Sequence, residues 1–339
     1  MSITLCAVTI SLFSFTAVSH AFSVEPKSEP APLASWNDGK SKQSIINFVA
    51  KVTQDNAKGY VKPEDRIAVF DNDGTLWAEQ PLYTQLVFAI ERIYALAPEN
   101  PKWQSQEPFA QLLKGDIKGA LSGGESAINA IVMAANAGMT NEEYADIVKQ
   151  WFAGAKHSTY KKAYSQMVYQ PMLELIDYLH SNDFKVFIVS GGDIEFIRAF
   201  SQEVYNIPSE RVIGSVMKRS YQVIEGAVES SVDAKKVILR EAEMTFYNNN
   251  ANKVLAINSH IGKRPIAAFG NSDGDLPMLQ YTTDGEGERL SMIIHHTDEK
   301  REWAYDKKSH IGHLSKGLEQ AKTHGWHLVD MKNDWKVIF

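Results

Sequence analysis

The chain has 339 residues, 44% hydrophobic and 22% charged, with a formal net charge of -6. That is enough apolar material for a large domain, or for a core with a smaller lid. The charges are dispersed, and no block of Lys or Arg could track a nucleic-acid backbone, so nucleic acid is excluded as the expected partner and small-molecule chemistry is expected instead.

From Ile3 to Val18 the sequence carries no charge, and Ser19-His20-Ala21 then supplies the small residues that a signal peptidase reads. A run this short is marginal for spanning a bilayer, so residues 1–21 are expected to be a cleaved signal peptide. The mature chain would be exported, periplasmic or secreted, without stable membrane association; an uncleaved anchor is the alternative, since no Lys or Arg precedes the run. Cys6 is the only cysteine and lies in this segment, which leaves the mature chain without disulfides, thiol nucleophiles or zinc thiolates. Pro26, Pro30 and Pro32 then mark residues 22–40 as a flexible leader.

Three short apolar runs read as buried parallel strands: Ile67-Ala68-Val69-Phe70, Val186-Phe187-Ile188-Val189 and Ile266-Ala267-Ala268-Phe269. Helical patterns separate them, including Met172 to Leu179 and Ile194 to Val204. The expected fold class is α/β, a Rossmann-like open parallel sheet. Its core would comprise residues 41–81 and 171–339, with a mostly helical cap, 82–170, inserted after the first strand. Alternation of Val, Ile and Tyr with polar residues from Arg211 to Ser231, around Glu225-Gly226, suggests a hairpin. Leu290 to Ile294 reads as the last strand, followed by a terminal helix and a further strand-like segment around Gly325-Trp326-His327. In open α/β sheets ligands bind beyond the carboxyl ends of the strands, so chemistry is sought just after each run.

After the first run stands Asp71-Asn72-Asp73-Gly74-Thr75-Leu76. Two carboxylates two residues apart can face one centre if the strand breaks its pleat, and Gly74 permits the turn; Asp-Gly is equally a common turn dipeptide. After the second run come Ser190, Gly191 and Gly192, a hydroxyl and backbone N–H groups suited to a phosphoryl oxygen, or else a plain helix cap. After the third come Gly270-Asn271-Ser272-Asp273-Gly274-Asp275-Leu276-Pro277-Met278.

These segments resemble motif one (DxDGT), motif two and motif four (GDxxxD) of the haloacid dehalogenase superfamily, in its phosphoserine-phosphatase-like branch with a helical cap. Asn271 departs from the pattern, standing where the first acidic residue of motif four is usual; an amide oxygen still ligates Mg²⁺ but brings no charge. The motif lysine is either Lys253, which opens a helical stretch, or Lys263, with Lys253 preferred because Lys263 would lie at the far end of its strand.

The resemblance implies a Mg²⁺-dependent phosphatase acting on a small phosphorylated metabolite. Asp71 would be the nucleophile and Asp73 the general acid and base, with Ser190 and Lys253 completing the catalytic set. Asn72, Thr75, Gly191 and Gly192 would line the phosphate; the metal site would be made by Asp71, the Asp73 backbone carbonyl, Asn271 and Asp275, with Asp275 holding either a metal-bound water or the lysine. Dehalogenases lack a carboxylate at the position of Asp73, since a halide leaves unprotonated. Glu79 resembles the acidic residue that meets a substrate amino group in relatives, or is an exposed charge. Alternatives are a phosphomutase or phosphotransferase of the same fold, and a binding protein impaired in catalysis through Asn271. Gly123-Gly124 is a cap hinge or a helix break, and Trp77, Tyr83 and Trp151 are assigned to packing. His295-His296 are expected to be structural, because adjacent side chains on an extended chain face opposite sides.

Overall fold

The computed structural model describes residues 32–223 and 236–339. The expected signal peptide, most of the leader and the Glu225-Gly226 turn lie outside the described residues. Where the leader is described it is packed: Leu33 and Trp36 are buried, Trp36 stands edge-on to Trp335 at 5.8 Å, and a helix begins at Lys40. The flexible leader therefore does not extend to residue 40, because two large apolar side chains are withdrawn from water well before it.

Among the described residues the strands form one seven-stranded sheet of order β4-β3-β2-β1-β5-β6-β7. They are β1 (Ile67–Phe70), β2 (Lys185–Asp193), β3 (Val212–Val223), β4 (Lys236–Phe246), β5 (Ala267–Gly270), β6 (Leu290–His295) and β7 (His327–Asp330). Every neighbouring pair is parallel except β3 with β4. β1 lies at the centre, and its four residues are all buried because both faces of the sheet are covered. Ala68 and Phe70 point into one apolar layer with Phe269 and Ile188, while Ile67 and Val69 point into the other with Ala268 and Ile293. Phe70 stacks on Phe269 with centroids 4.3 Å apart, which holds the ends of β1 and β5 side by side.

Two local expectations differ from the structure. The helix read from Ile194 to Val204 is two short helices, Ile194–Arg198 and Ser201–Tyr205. β6 is followed by the parallel edge strand β7, so it is not the last.

The described residues between β1 and β2 are mainly helical, with long helices at Thr84–Leu96, Glu125–Asn136 and Asn141–Gly154. They bury a satellite cluster of Leu86, Ala89, Ile90, Ile93, Leu112, Ile131 and Ala135. Gly124 enters the second of these helices at φ +63, so Gly123-Gly124 forms a break between helical segments. Thr140 and Glu143 close a capping box on the third. β4 reaches this insert: the backbone of Arg240 exchanges hydrogen bonds with Gly138 and Met139, each 2.9 Å long.

Candidate active site

The Asp71 N–H still bonds to the Phe269 carbonyl at 2.9 Å, one residue past β1, and there the extended chain ends. The Asn72 carbonyl then accepts from Leu76 N–H at 2.8 Å and Gly74 N–H donates to the Trp77 carbonyl at 2.8 Å, a turn that Gly74 permits at φ +71. A side chain on Gly74 would collide with the Asn271 and Glu79 side chains, so the glycine is also required by close approach. The turn breaks the alternation of a strand and leaves Asp71 and Asp73 within electrostatic reach of one another. The Trp77 indole N–H donates to Asp73 at 2.8 Å and sets the orientation of that carboxyl.

Of the two lysines, Lys253 is the one that meets Asp71. Its Nζ is 2.6 Å from Asp71 Oδ1 and 2.6 Å from Asp275 Oδ1, and the side chain is buried. It sits in the first turn of the Ala251–Ile261 helix. Lys263 pairs instead with Asp65 on the exposed surface. The second oxygen of Asp275 accepts from the Asn271 and Ser272 N–H groups, each at 3.0 Å, and from the Ser272 hydroxyl at 3.1 Å. Of the two roles open to Asp275, the structure thus shows it holding the lysine. Asp273 instead accepts from the backbone N–H groups of Ser315, Lys316 and Gly317 and so caps the start of the Lys316–His324 helix.

Asn271 is buried between two partners. Its amide oxygen accepts from the Thr75 hydroxyl at 3.1 Å, and its amide nitrogen donates to Glu79 at 2.7 Å. The same Glu79 oxygen accepts from the Tyr305 hydroxyl at 2.7 Å. At 2% relative exposure, Glu79 is not a surface charge. His296 is buried too, with Nε2 2.8 Å from the Gly74 carbonyl and Nδ1 3.1 Å from Glu302. His295 turns the other way, toward Asp306. His296 is therefore structural in a specific sense, bracing the motif-one turn from the far end of the chain.

Motif two is placed differently from expectation. Ser190, Gly191 and Gly192 still belong to β2, and the helix that follows begins only at Ile194, where Asp193 caps it through the Glu195 N–H. Ser190 is fully buried, and its hydroxyl accepts from Gly192 N–H at 3.0 Å. What holds the segment is its surroundings: Ser215 donates to the Gly191 carbonyl, Asn248 to the Ser190 carbonyl, and Asp193 N–H to Gln85 of the insert. Both polar atoms of the buried Asn72 side chain, and the Gln85 amide nitrogen, lack partners among the described residues.

Burial dominates the electrostatics. It pushes the Asp71 carboxyl up to about 7, with Asp275 adding to the effect and Lys253 opposing it. Burial likewise lifts Asp73 to about 6 against the bond from Trp77, and Glu79 well above the usual carboxyl range against the bond from Tyr305. For Lys253 burial disfavours the charge, but Asp275 and Asp71 outweigh it and keep the ammonium protonated. Two carboxylates, Asp71 and Asp275, thus meet Lys253, with Asp73 and Glu79 within electrostatic reach of Asp71, an arrangement that favours either retained protons or a bound cation.

A scan against protein families matches residues 68–280 to the haloacid dehalogenase-like hydrolases. The chain belongs to that family. No curated protein matches it in sequence. Among solved structures, a functionally unknown protein from Anaerococcus prevotii aligns at 18% identity over 76% of this chain and 85% of its own, with a TM-score of 0.44. One of unknown function from Bordetella pertussis Tohama I aligns at 14% identity over 78% and 98%, with a TM-score of 0.45. A phosphoserine phosphohydrolase-like protein from Francisella tularensis aligns at 15% identity over 68% and 87%, with a TM-score of 0.34. Nothing about this chain's chemistry rests on these three likenesses.

Among the described residues no three His, Cys, Asp or Glu side chains form a metal-binding group by themselves. A cation here would have to draw on the Asn271 carboxamide and a backbone carbonyl as well as on Asp71. An all-oxygen set of that kind, short of full coordination, suits Mg²⁺ and does not suit a soft transition metal.

The sequence reading missed Tyr305, Gln85, Asn248 and Glu302. They come from segments without motif spacing, and only folding brings them to the strand ends.

Proposed function

We propose that this hydrolase is an exported, Mg²⁺-dependent phosphatase of small phosphate monoesters. The observation that carries the reading is the placement of Asp73, a half-buried carboxyl held by the Trp77 indole at 2.8 Å in the same turn as Asp71. A leaving alkoxide needs a proton, and this group is positioned to supply one. Export rests on the sequence of residues 1–21.

In this reading Asp71 attacks phosphorus in line, the bond to the ester oxygen breaks, and an aspartyl-phosphate forms. Asp73 gives its proton to the departing alkoxide, then takes one from the water that cleaves the intermediate and releases phosphate. Lys253 keeps Asp71 and Asp275 oriented and partly neutralised, and with Ser190 and the N–H groups near Asn72 and Gly191 it surrounds the transferring oxygens. Asp71, the Asp73 carbonyl and Asn271 would hold Mg²⁺, which when bound offsets charge on the phosphoryl group and on the attacking carboxylate. The helical insert, which reaches the end of β2 through the bond from Asp193 N–H to Gln85, would favour small substrates if it closes over the site.

Turnover of an aryl phosphate by the purified chain, with and without Mg²⁺, tests the assignment. Asp71→Asn is expected to abolish turnover and Asp73→Asn to lower it by roughly a hundred- to ten-thousand-fold. Full activity in either variant defeats the reading. A phosphotransferase would instead need an acceptor alcohol before releasing product, and an impaired binding protein would hold phosphate analogues without turnover.

A further inference from the structure

Asn271 and Glu79 form a pair that the motif pattern does not anticipate. The family-like position 271 carries a neutral carboxamide, and a carboxylate has arrived beside it from a different segment, Glu79 Oε1 lying 2.7 Å from Asn271 Nδ2. Both residues are buried, at 1% and 2% relative exposure. A carboxamide can be turned either way, and here its neighbours decide. Burial alone favours a proton on Glu79, but a cation bound beside it favours the ionised form, and an ionised carboxylate accepts only, so it takes the NH₂ group; the Thr75 hydroxyl donates to the amide oxygen at 3.1 Å. The Tyr305 hydroxyl, bonded to the same Glu79 oxygen at 2.7 Å, fixes the carboxylate in turn.

We propose that Glu79 is a positioning residue of the cation site, which orients the Asn271 amide oxygen as a ligand and supplies from behind it the negative charge that Asn271 lacks. This rests on the Mg²⁺-dependent reading above and gives Glu79 a role other than meeting a substrate amino group. A charged group behind a ligand raises the ligand's donor strength, and removing such a partner typically weakens metal affinity by about 10- to 100-fold. Two carboxylates at this separation would repel, so the site has room for one formal charge between the two positions.

The test is a charge exchange read by Mn²⁺ binding, followed by electron paramagnetic resonance without substrate. Glu79→Gln keeps a carbonyl oxygen able to accept from Asn271 and Tyr305 but removes the charge, and is expected to weaken Mn²⁺ binding by about 10- to 100-fold. Adding Asn271→Asp to that variant puts the charge back on position 271 and is expected to restore affinity to within about threefold of wild type. Thermal unfolding of each variant confirms that it is folded. Wild-type affinity in Glu79→Gln, or a double variant that binds no better than the single one, overturns the proposal. If wild type itself takes up no Mn²⁺, the metal-dependent reading fails and this proposal fails with it, a pattern distinct from equal binding by wild type and Glu79→Gln.

Discussion

Asp71 and Asp73 titrate near 3.8 in an unfolded chain and near 7 and 6 in the fold, chiefly because they are buried. A carboxyl whose pKa rises on folding adds stability in full below its unfolded value and loses it as pH climbs through the folded one. Without a divalent cation, these groups make the protein less stable as pH climbs from about 4 to about 7. A cation competes with the same protons, so Mg²⁺ should raise the unfolding temperature more at pH 8 than at pH 5. Melting curves with and without Mg²⁺ across that range check this; a larger gain at the acidic end would contradict it. At this scale the sequence was legible for Asp71, Asp73 and Asn271, which stand in one short string each at a strand end. Glu79 was ambiguous, because no local pattern says whether an acidic side chain eight residues on will be solvated or buried against Asn271 and Tyr305.

Among the elements, the end of β2 shows how much of a site can depend on distant support. Asp193 follows Ser190, Gly191 and Gly192 directly; it caps the next helix through Glu195 N–H, and it forms a buried ion pair with Arg240 of β4. Arg240 also donates to the Asn136 carbonyl in the insert at 3.1 Å and lies 4.0 Å over the Tyr144 ring. The pair therefore ties motif two to β4 and to the insert. Asp193→Ala would leave the guanidinium buried and uncompensated, which should destabilise the fold by about 3–5 kcal/mol. Urea unfolding measures the loss, and a change below about 1 kcal/mol would show that water reaches Arg240. No sequence pattern flagged this pair. Its members are 47 residues apart, and charged residues on strands are ordinarily solvated.

For the molecule as a whole, the segment before the first helix belongs to the fold. Trp36 is fully buried against Trp335, and its indole N–H donates to the Pro171 carbonyl at 2.9 Å. Trp36→Ala should cost about 3–5 kcal/mol, read as a lower urea midpoint with an unchanged slope; a loss under about 1 kcal/mol would mean that this segment packs only loosely. The C-terminal region likewise returns to the site, where His296 braces the Gly74 carbonyl and Tyr305 holds Glu79.

The amino-acid sequence by itself determined the α/β class, the strands β1, β2 and β5, the helical insert and the residues that stand at the strand ends. Those follow from local periodicity and from turn chemistry, which act over a few neighbours. Tertiary structure alone decided that Lys253 rather than Lys263 meets Asp71, that Asp275 holds that lysine, and that Glu79 lies buried against Asn271. Each depends on which distant segments converge, and on how far burial shifts the balance between charge and proton, quantities that no local pattern contains.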